Sequence, residues 1–297
     1  MNDLVDLHVH SNKSCDGDYP PADLIRLAKD QGFRAMSISD HDTVAAYPGA
    51  CESGRKEGVE IIPSVEFTTL FDGREFHLLL PLMDWESEVV GDLVDRATRA
   101  RRGEAEERVR KLREAGFDIS WEEVESESES IPPLGVKIAQ ILLEKAARTG
   151  KQNDPSLKKY FEARNLMFAP YEFYKGHFTE GKEAYVPKRH IPALEILELA
   201  PETGGVPVLS HPGAYFQQTT RDDLVLLKGK GLQGVEVYTS YHEPDQVQFY
   251  LSLARELDLV PTAGSDFHGR IKPHIPFGFV RDGGYWMVEA LRNRRSR

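Results

Sequence analysis

Residues 4–10 read Leu4-Val5-Asp6-Leu7-His8-Val9-His10. Leu4, Asp6, His8 and His10 fall on one face and Val5, Leu7 and Val9 on the other, which is the two-residue period of a β-strand. A His-x-His pair on a strand aims two imidazoles to the same side, near enough for both to bind one cation. Taken alone the pair is a weak signal, because alternating strands acquire it by chance. Its meaning depends on what the rest of the chain delivers to the end of that strand.

Working outward, a polar loop (11–21, SNKSCDGDYPP) leads into a helix from about Pro21, with Ala22, Ile25, Leu27 and Ala28 as apolar positions and Gly32 near its C-cap. A short strand, AMSIS, ends at Asp40-His41-Asp42. A helical stretch over 44–57 closes at Gly58. EIIPSVEF (60–67) then reads as a strand that Glu66 ends, and FHLLLPL (76–82) as the next, which His77 starts; together they form a hairpin-like pair over 61–82. Alternating β and α units predict a parallel sheet or barrel.

From about 90 to 187 the character changes. Residues 96–116 form a charged helix with Glu104–Arg108, Glu106–Arg110 and Glu107–Lys111 at i,i+4 and a thin apolar stripe of Ala105, Val109 and Leu112. The acidic run 121–130, WEEVESESES, reads as a solvated loop or frayed helix. A further helix is expected over 136–148, then irregular segments to Pro187. Residues 90–187 are therefore expected to be a mainly helical insertion, flanked by 1–89 and 188–297. The β/α pattern then resumes: ALEILELA as a helix, GVPVLS as a strand leading to His211, 222–230 as a helix, GVEVY as a strand, 245–257 as a helix, and LVPTAG as a last strand leading to Asp266 and His268.

The chain has 297 residues and a net charge of −11. That length suits one large barrel or two ordinary domains and buries a core without covalent staples. Two cysteines, Cys15 and Cys51, make no disulfide framework, so a reducing cytoplasm is expected. Met1-Asn2-Asp3 runs straight into the first strand with no targeting segment, and no apolar run approaches the roughly 20 residues of a membrane helix. The acidic balance argues against binding duplex DNA. A small anionic substrate stays compatible with it, because bound divalent cations reverse the local sign.

The polar residues at the strand ends carry the chemistry. His8 and His10, then Asp40, His41 and Asp42, then Glu66, His77, His211, Asp266 and His268 are all imidazole or carboxylate. In an α/β barrel, strand ends converge on one mouth where catalysis occurs. Such donors suit Zn²⁺, Mn²⁺ or Fe²⁺ with no thiolate bias. A carboxylate such as Glu66 or Asp266 is able to bridge two ions, and two ions activate a shared water to a hydroxide near neutral pH while holding a phosphoryl oxygen. Each element has an ordinary alternative: Asp42 as a helix cap, Ser-His-Pro as a loop, Gly-Ser-Asp as a turn. Their joint placement favours metal.

DLHVHSNKSCDG, ISDHDT, the Glu of IPSVEF, the His of EFHLLL, LSHPG and GSDFH resemble the polymerase-and-histidinol-phosphatase (PHP) family over roughly 3–85 and 190–280. The resemblance implies a distorted seven-stranded, TIM-like β/α barrel holding two or three divalent ions (Mn, Zn or Fe), with the insertion contributing to the substrate pocket. It implies His8, His10, Glu66 and Asp266 around a first ion, Glu66, His77 and His211 around a second, and Asp16, His41 and His268 around a third. Asp40 and Asp42 would then orient imidazoles. Relatives often carry an Arg-x-His phosphate contact early in the insertion. Here the segment reads Leu134-Gly135-Val136-Lys137-Ile138-Ala139, so Lys137 is the candidate, together with Lys188, Arg189 and His190. A lysine there gives a point charge rather than a bidentate grip.

The implied activity is a phosphoesterase acting on nucleoside phosphates or short RNA 5′ ends, with a small phosphorylated substrate, nucleotide or short single strand as partner. Two other classes share parts of this pattern. A zinc-type amidohydrolase or deaminase also uses His-x-His and a late Asp, but usually with a metal-binding lysine or a single ion. A non-catalytic nucleotide-binding module would explain the divergent 134–139 segment.

Overall fold

The computed structural model describes residues 3–128, 131–162 and 168–295. Along the chain the elements are β1 (Val5–Val9), α1 (Pro21–Asp30), β2 (Ala35–Ile38), α2 (Tyr47–Glu57), β3 (Glu60–Ile61), β4 (Glu66–Phe71), β5 (Arg74–Leu79), α3 (Glu88–Glu114), α4 (Trp121–Glu127), α5 (Gly135–Arg148) and α6 (Ala169–His177). They continue with β6 (Ile191–Pro192), α7 (Ala193–Thr203), β7 (Val208–Leu209), α8 (Arg221–Gly229), β8 (Gly234–Thr239), α9 (Pro244–Glu256), β9 (Val260–Gly264) and α10 (Trp286–Arg295). Two compact units result, one of residues 1–97 and 190–297, the other of residues 98–189.

The first unit is a mixed α/β structure. Its ladders make a three-stranded parallel sheet, β1-β2-β3, and a six-stranded sheet, β6-β4-β5-β7-β8-β9. Both sheets are open, where one closed barrel was expected. Isolated parallel bridges connect them, Val9 with Phe267 and His41 with Glu66. The amide of Asp266 donates to His8 O (2.8 Å) and that of His10 to Phe267 O (2.9 Å). On the other side Glu66 N donates to Asp40 O (3.2 Å) and Asp42 N to Glu66 O (3.0 Å). The backbone is thus tied together where the candidate ligands sit. β1 is buried along its whole length, so its alternation does not separate core from solvent. It separates apolar packing by Val5, Leu7 and Val9 from the polar cluster at His8 and His10.

The segment EIIPSVEF is two strands rather than one. Pro63 has no N–H to give to a ladder, and the next amide, Ser64, donates to the Tyr47 hydroxyl at 2.7 Å. β3 therefore stops beside β2, and β4 starts at Glu66 in the other sheet. Glu66 opens a strand instead of ending one. His77 lies inside β5, opposite Thr68 across the β4–β5 hairpin, instead of starting its strand.

The second unit has its own core, in which Ala105, Val109 and Leu112 of α3 share a cluster with Ile138 and Leu142 of α5 and Phe173 of α6. Glu104 and Arg108 pair at 2.6 Å, nearly buried. The other two expected pairs exchange partners: Glu106 takes Arg102 (2.9 Å), Glu107 takes Arg110 (2.5 Å), and Lys111 donates to Tyr185 O (2.6 Å). The acidic run is helical to Glu127 because Ser120 and Glu123 form a capping box at its start. Its last two residues, 129 and 130, lie outside the described residues, as do Met1 and Asn2. Among the described residues no helix is long and apolar enough to cross a membrane.

Candidate metal centre

His8 and His10 lie together on β1 and just beyond it, and their Nε2 atoms approach to 3.1 Å. Two imidazole nitrogens that close share a proton or a cation. Glu66 Oε2 lies 3.2 Å from the first and 3.3 Å from the second, and Asp266 Oδ1 lies 3.4 and 3.1 Å from them. These distances describe five of the six edges of a tetrahedron of donor atoms. A regular tetrahedron of edge about 3.2 Å has its centre about 2.0 Å from each corner, the ordinary Zn–N and Zn–O distance. The arrangement fits a divalent ion.

Glu66 is the hub. Its Oε2 also lies 3.1 Å from His41 Nδ1, while Oε1 lies 3.1 Å from His77 Nδ1 and 3.0 Å from His211 Nε2. One buried carboxylate therefore touches five imidazoles. A further group gathers at Asp16, whose Oδ2 is 3.3 Å from His268 Nε2 and 3.5 Å from His41 Nε2, beside the His10 ring. Three sets of donor atoms are compact enough for one ion each: His8, His10, Glu66 and Asp266; His41, Glu66 and His77; and His10, Asp16, His41 and His268. The buried Glu66 Oε2 and His268 Nε2 make no hydrogen bond. Orphaned buried donors and acceptors of this kind call for an unseen partner, and a cation suits them.

Charge within the cluster alternates. Burial pushes the His10 imidazole down, but Asp266 and Glu66 outweigh it and hold its pKa up to about 9. Burial also opposes protonation of His77, which Glu66 and Glu75 raise to about 9. Burial favours the neutral acid at Glu66, yet His8, His41 and His77 hold it well below the usual carboxylate range. Asp266 behaves likewise beside Lys272, His268 and His8.

Several supporting residues were not legible in advance. Glu236, fully buried in β8, accepts from His8 Nδ1 at 3.1 Å and from the His211 amide at 2.8 Å. It plays the orienting part expected of Asp40. Asp40 instead accepts from the amide and hydroxyl of Ser11 (2.6 and 2.7 Å), and so fixes the loop that leaves His10. Asp42 accepts from Thr68 N at 3.0 Å and ties β4 to the loop after β2. Lys272 and Tyr241 both donate to the outer oxygen of Asp266, at 2.5 and 2.7 Å. A carboxylate in the middle of the apolar strand GVEVY was the available signal for Glu236. Nothing in the sequence pattern marked Lys272.

The backbone is also constrained. Asp42, His211 and Asp266 have positive φ, 54°, 25° and 54°, a region few non-glycine residues adopt and one that gathers at functional sites. At Gly264 a Cβ would lie 2.2 Å from Glu236 Oε1 and 2.3 Å from His8 Cβ. Gly264→Ala must therefore push apart the pair that orients His8. Overpacking of this kind costs about 3 kcal/mol, and a melting temperature lowered on the order of 10 °C with reduced bound metal is the expected outcome. A variant that melts and binds metal like the parent would refute that role for the glycine.

Of the residues expected to contact phosphate, His190 lies in the first unit, with Nε2 3.5 Å from Glu75 Oε2, while Glu75 Oε1 lies 3.3 Å from His77 Nε2. Lys137, half-buried on α5, and Lys188 and Arg189 belong to the second unit. The centre described above is built from the first unit alone.

The sequence pattern of the PHP domain matches residues 6–174. The chain belongs to the PHP family, a family of metal-dependent phosphoesterases. It is 26% identical over 285 residues to a 5'-3' exoribonuclease of Haemophilus influenzae, covering 95% of this chain and 94% of that one. It is equally 26% identical, over 284 residues, to a phosphoribosyl 1,2-cyclic phosphate 1,2-diphosphodiesterase of Eggerthella lenta, covering 92% and 98%. A crystal structure from Bifidobacterium adolescentis described as a metal-dependent phosphoesterase superposes with a TM-score of 0.78 at 25% identity, covering 98% of this chain and 96% of that one.

Proposed function

We propose that the protein hydrolyses phosphate esters of nucleotides or of short RNA 5′ ends, with His8, His10, Asp16, His41, Glu66, His77, His211, Asp266 and His268 as ligands of two or three divalent ions. The observation that carries this reading is Glu66, one carboxylate in contact with five imidazoles and shared by two of the three donor sets. When bound, the ions supply Lewis acidity toward phosphoryl oxygens and an activated water. Glu236 holds His8 in one tautomer by accepting from Nδ1, which leaves Nε2 for the cluster. Lys272 and Tyr241 hold the far oxygen of Asp266, so that Oδ1 stays aimed at the histidines. The bridges at Val9–Phe267 and His41–Glu66 support reading β1, β2, β4, β5, β7, β8 and β9 as a distorted seven-stranded barrel. A deaminase-type centre is disfavoured, because the bridging residue is a carboxylate and the nearby Lys272 is occupied with Asp266.

The two relatives named above act on different esters at the same identity, so the substrate is to be found by experiment. A phosphate-release screen over nucleoside mono- and bisphosphates, histidinol phosphate and short oligonucleotides, with Mn²⁺ and with Zn²⁺, should return turnover on nucleotide or RNA substrates that a chelator abolishes. Metal-loaded protein that releases phosphate from none of them would remove the proposal.

A further inference from the structure

Beside the candidate centre two large aromatic side chains face solvent. Tyr215 is 64% exposed and Phe216 39% exposed, in the loop that follows His211. Their rings meet edge to face at 5.2 Å. Phe216 also packs on His77 (5.6 Å), His211 (5.3 Å) and Tyr241 (6.0 Å), so part of it rests on the proposed ligand rings while the remainder faces outward.

This exposure is built in by the loop. Gln217, 2% exposed, donates to Ser210 O (2.9 Å) and Thr219 Oγ1 (3.2 Å) and accepts from the His77 amide (3.1 Å). Thr219 N donates back to Pro212 O at 2.7 Å, and Ala214 N to His211 O at 2.9 Å. With Gln217 pinned inward, its two predecessors are held outward in a fixed arrangement. Solvent-exposed aromatics on a preorganised loop, within ring-contact distance of a phosphate-type centre, have the form of a stacking platform.

We infer that Tyr215 and Phe216 form a stacking subsite for the nucleobase of the nucleotide whose phosphate lies at the metal centre. The inference rests on the reading of that centre as a phosphoesterase site. It also suits a chain of net charge −11. Aromatic faces grip every base through its π-surface and need no charge, and each stacked base contributes substantially to affinity.

The test is equilibrium binding to metal-loaded protein, measured by calorimetry with the non-hydrolysable phosphonate analogues of adenosine 5′-monophosphate and of ribose 5-phosphate, the second of which shares the phosphonate and sugar but has no base. The parent is expected to bind the nucleotide analogue about tenfold or more tighter than the sugar analogue. Tyr215→Leu/Phe216→Leu, which keeps apolar bulk but loses the rings, should bring that ratio close to one. Tyr215→Phe/Phe216→Tyr, which keeps the rings, should restore it. Equal binding of the two compounds by the parent overturns the inference, as does a leucine variant that keeps the full preference. Because the readout is binding, an empty phosphate-release screen would remove the hydrolytic reading while a base-dependent ratio would still stand.

Discussion

Glu66→Gln is expected to lower kcat/KM by at least about 10³-fold and to lower the bound metal per chain. The substitution keeps the shape of the side chain and removes only its charge. Five imidazole nitrogens lie within 3.0–3.3 Å of the two Glu66 oxygens. Oε1 meets the His77 and His211 rings and Oε2 the His8 and His10 rings, so one side chain serves both sides of the cluster. An amide has one acceptor and one donor, so it satisfies at most half of this arrangement and carries no charge to share between cations. Glu75→Gln is the graded comparison. It touches His77 and His190 from outside, and loss of such a partner costs about 10-fold to 100-fold. Metal content by mass spectrometry alongside turnover separates the two variants. Full metal occupancy in Glu66→Gln would defeat the bridging account.

The second large effect concerns metal removal and pH. In the metal-free protein His10 and His77 are raised to about 9, against burial, by Asp266, Glu66 and Glu75. A group raised on folding stabilises the fold fully below its unfolded value, about 6.5 for histidine, and that stability drains away as pH rises through the folded value. The metal-free protein should thus weaken between about pH 6.5 and 9.5. One such imidazole is worth about 3 kcal/mol. Both lean on Glu66, so the total is nearer one contribution than two, and a fall in melting temperature on the order of 10 °C follows. The metal-loaded protein, whose ligands bind as neutral imidazoles and have already released their protons, should stay level across the same window. Differential scanning fluorimetry with and without chelator at four pH values decides it. A metal-free protein with a level profile would show that the imidazolium–carboxylate pairs do not hold the cluster.

How much of this was legible beforehand depended on the kind of signal. The period-2 face of β1, the His41 triplet and the late Asp266–His268 pair are local patterns, and the structure does bring those side chains together. The mixed α/β order followed from the alternation of strand and helix patterns along the chain. What local pattern does not encode is a change of sheet. A proline in an apolar run reads as a blemish in one strand, whereas Pro63 ends one strand and lets Glu66 begin another. Glu236 and Lys272 act through partners 228 and 6 residues away respectively. Neither the long nor the short separation marks them, because their role depends on which strands become neighbours. Asp40 accepts from the Ser11 amide and hydroxyl, and the carboxylate in contact with His8 Nδ1 is Glu236.

The amide contact between Asp266 and His8 has a temporal side as well. It joins the first strand of the fold to the residues that follow the last one. A growing chain that has not yet emerged past β9 holds His8, His10 and Glu66 but lacks Asp266, the fourth donor of that set. The four-donor set at that position is complete only when both ends of the unit have met. The ion would then act as a latch on a finished fold rather than a nucleus for an unfinished one. Amide exchange at Asp266 and His10 should slow together when metal is added.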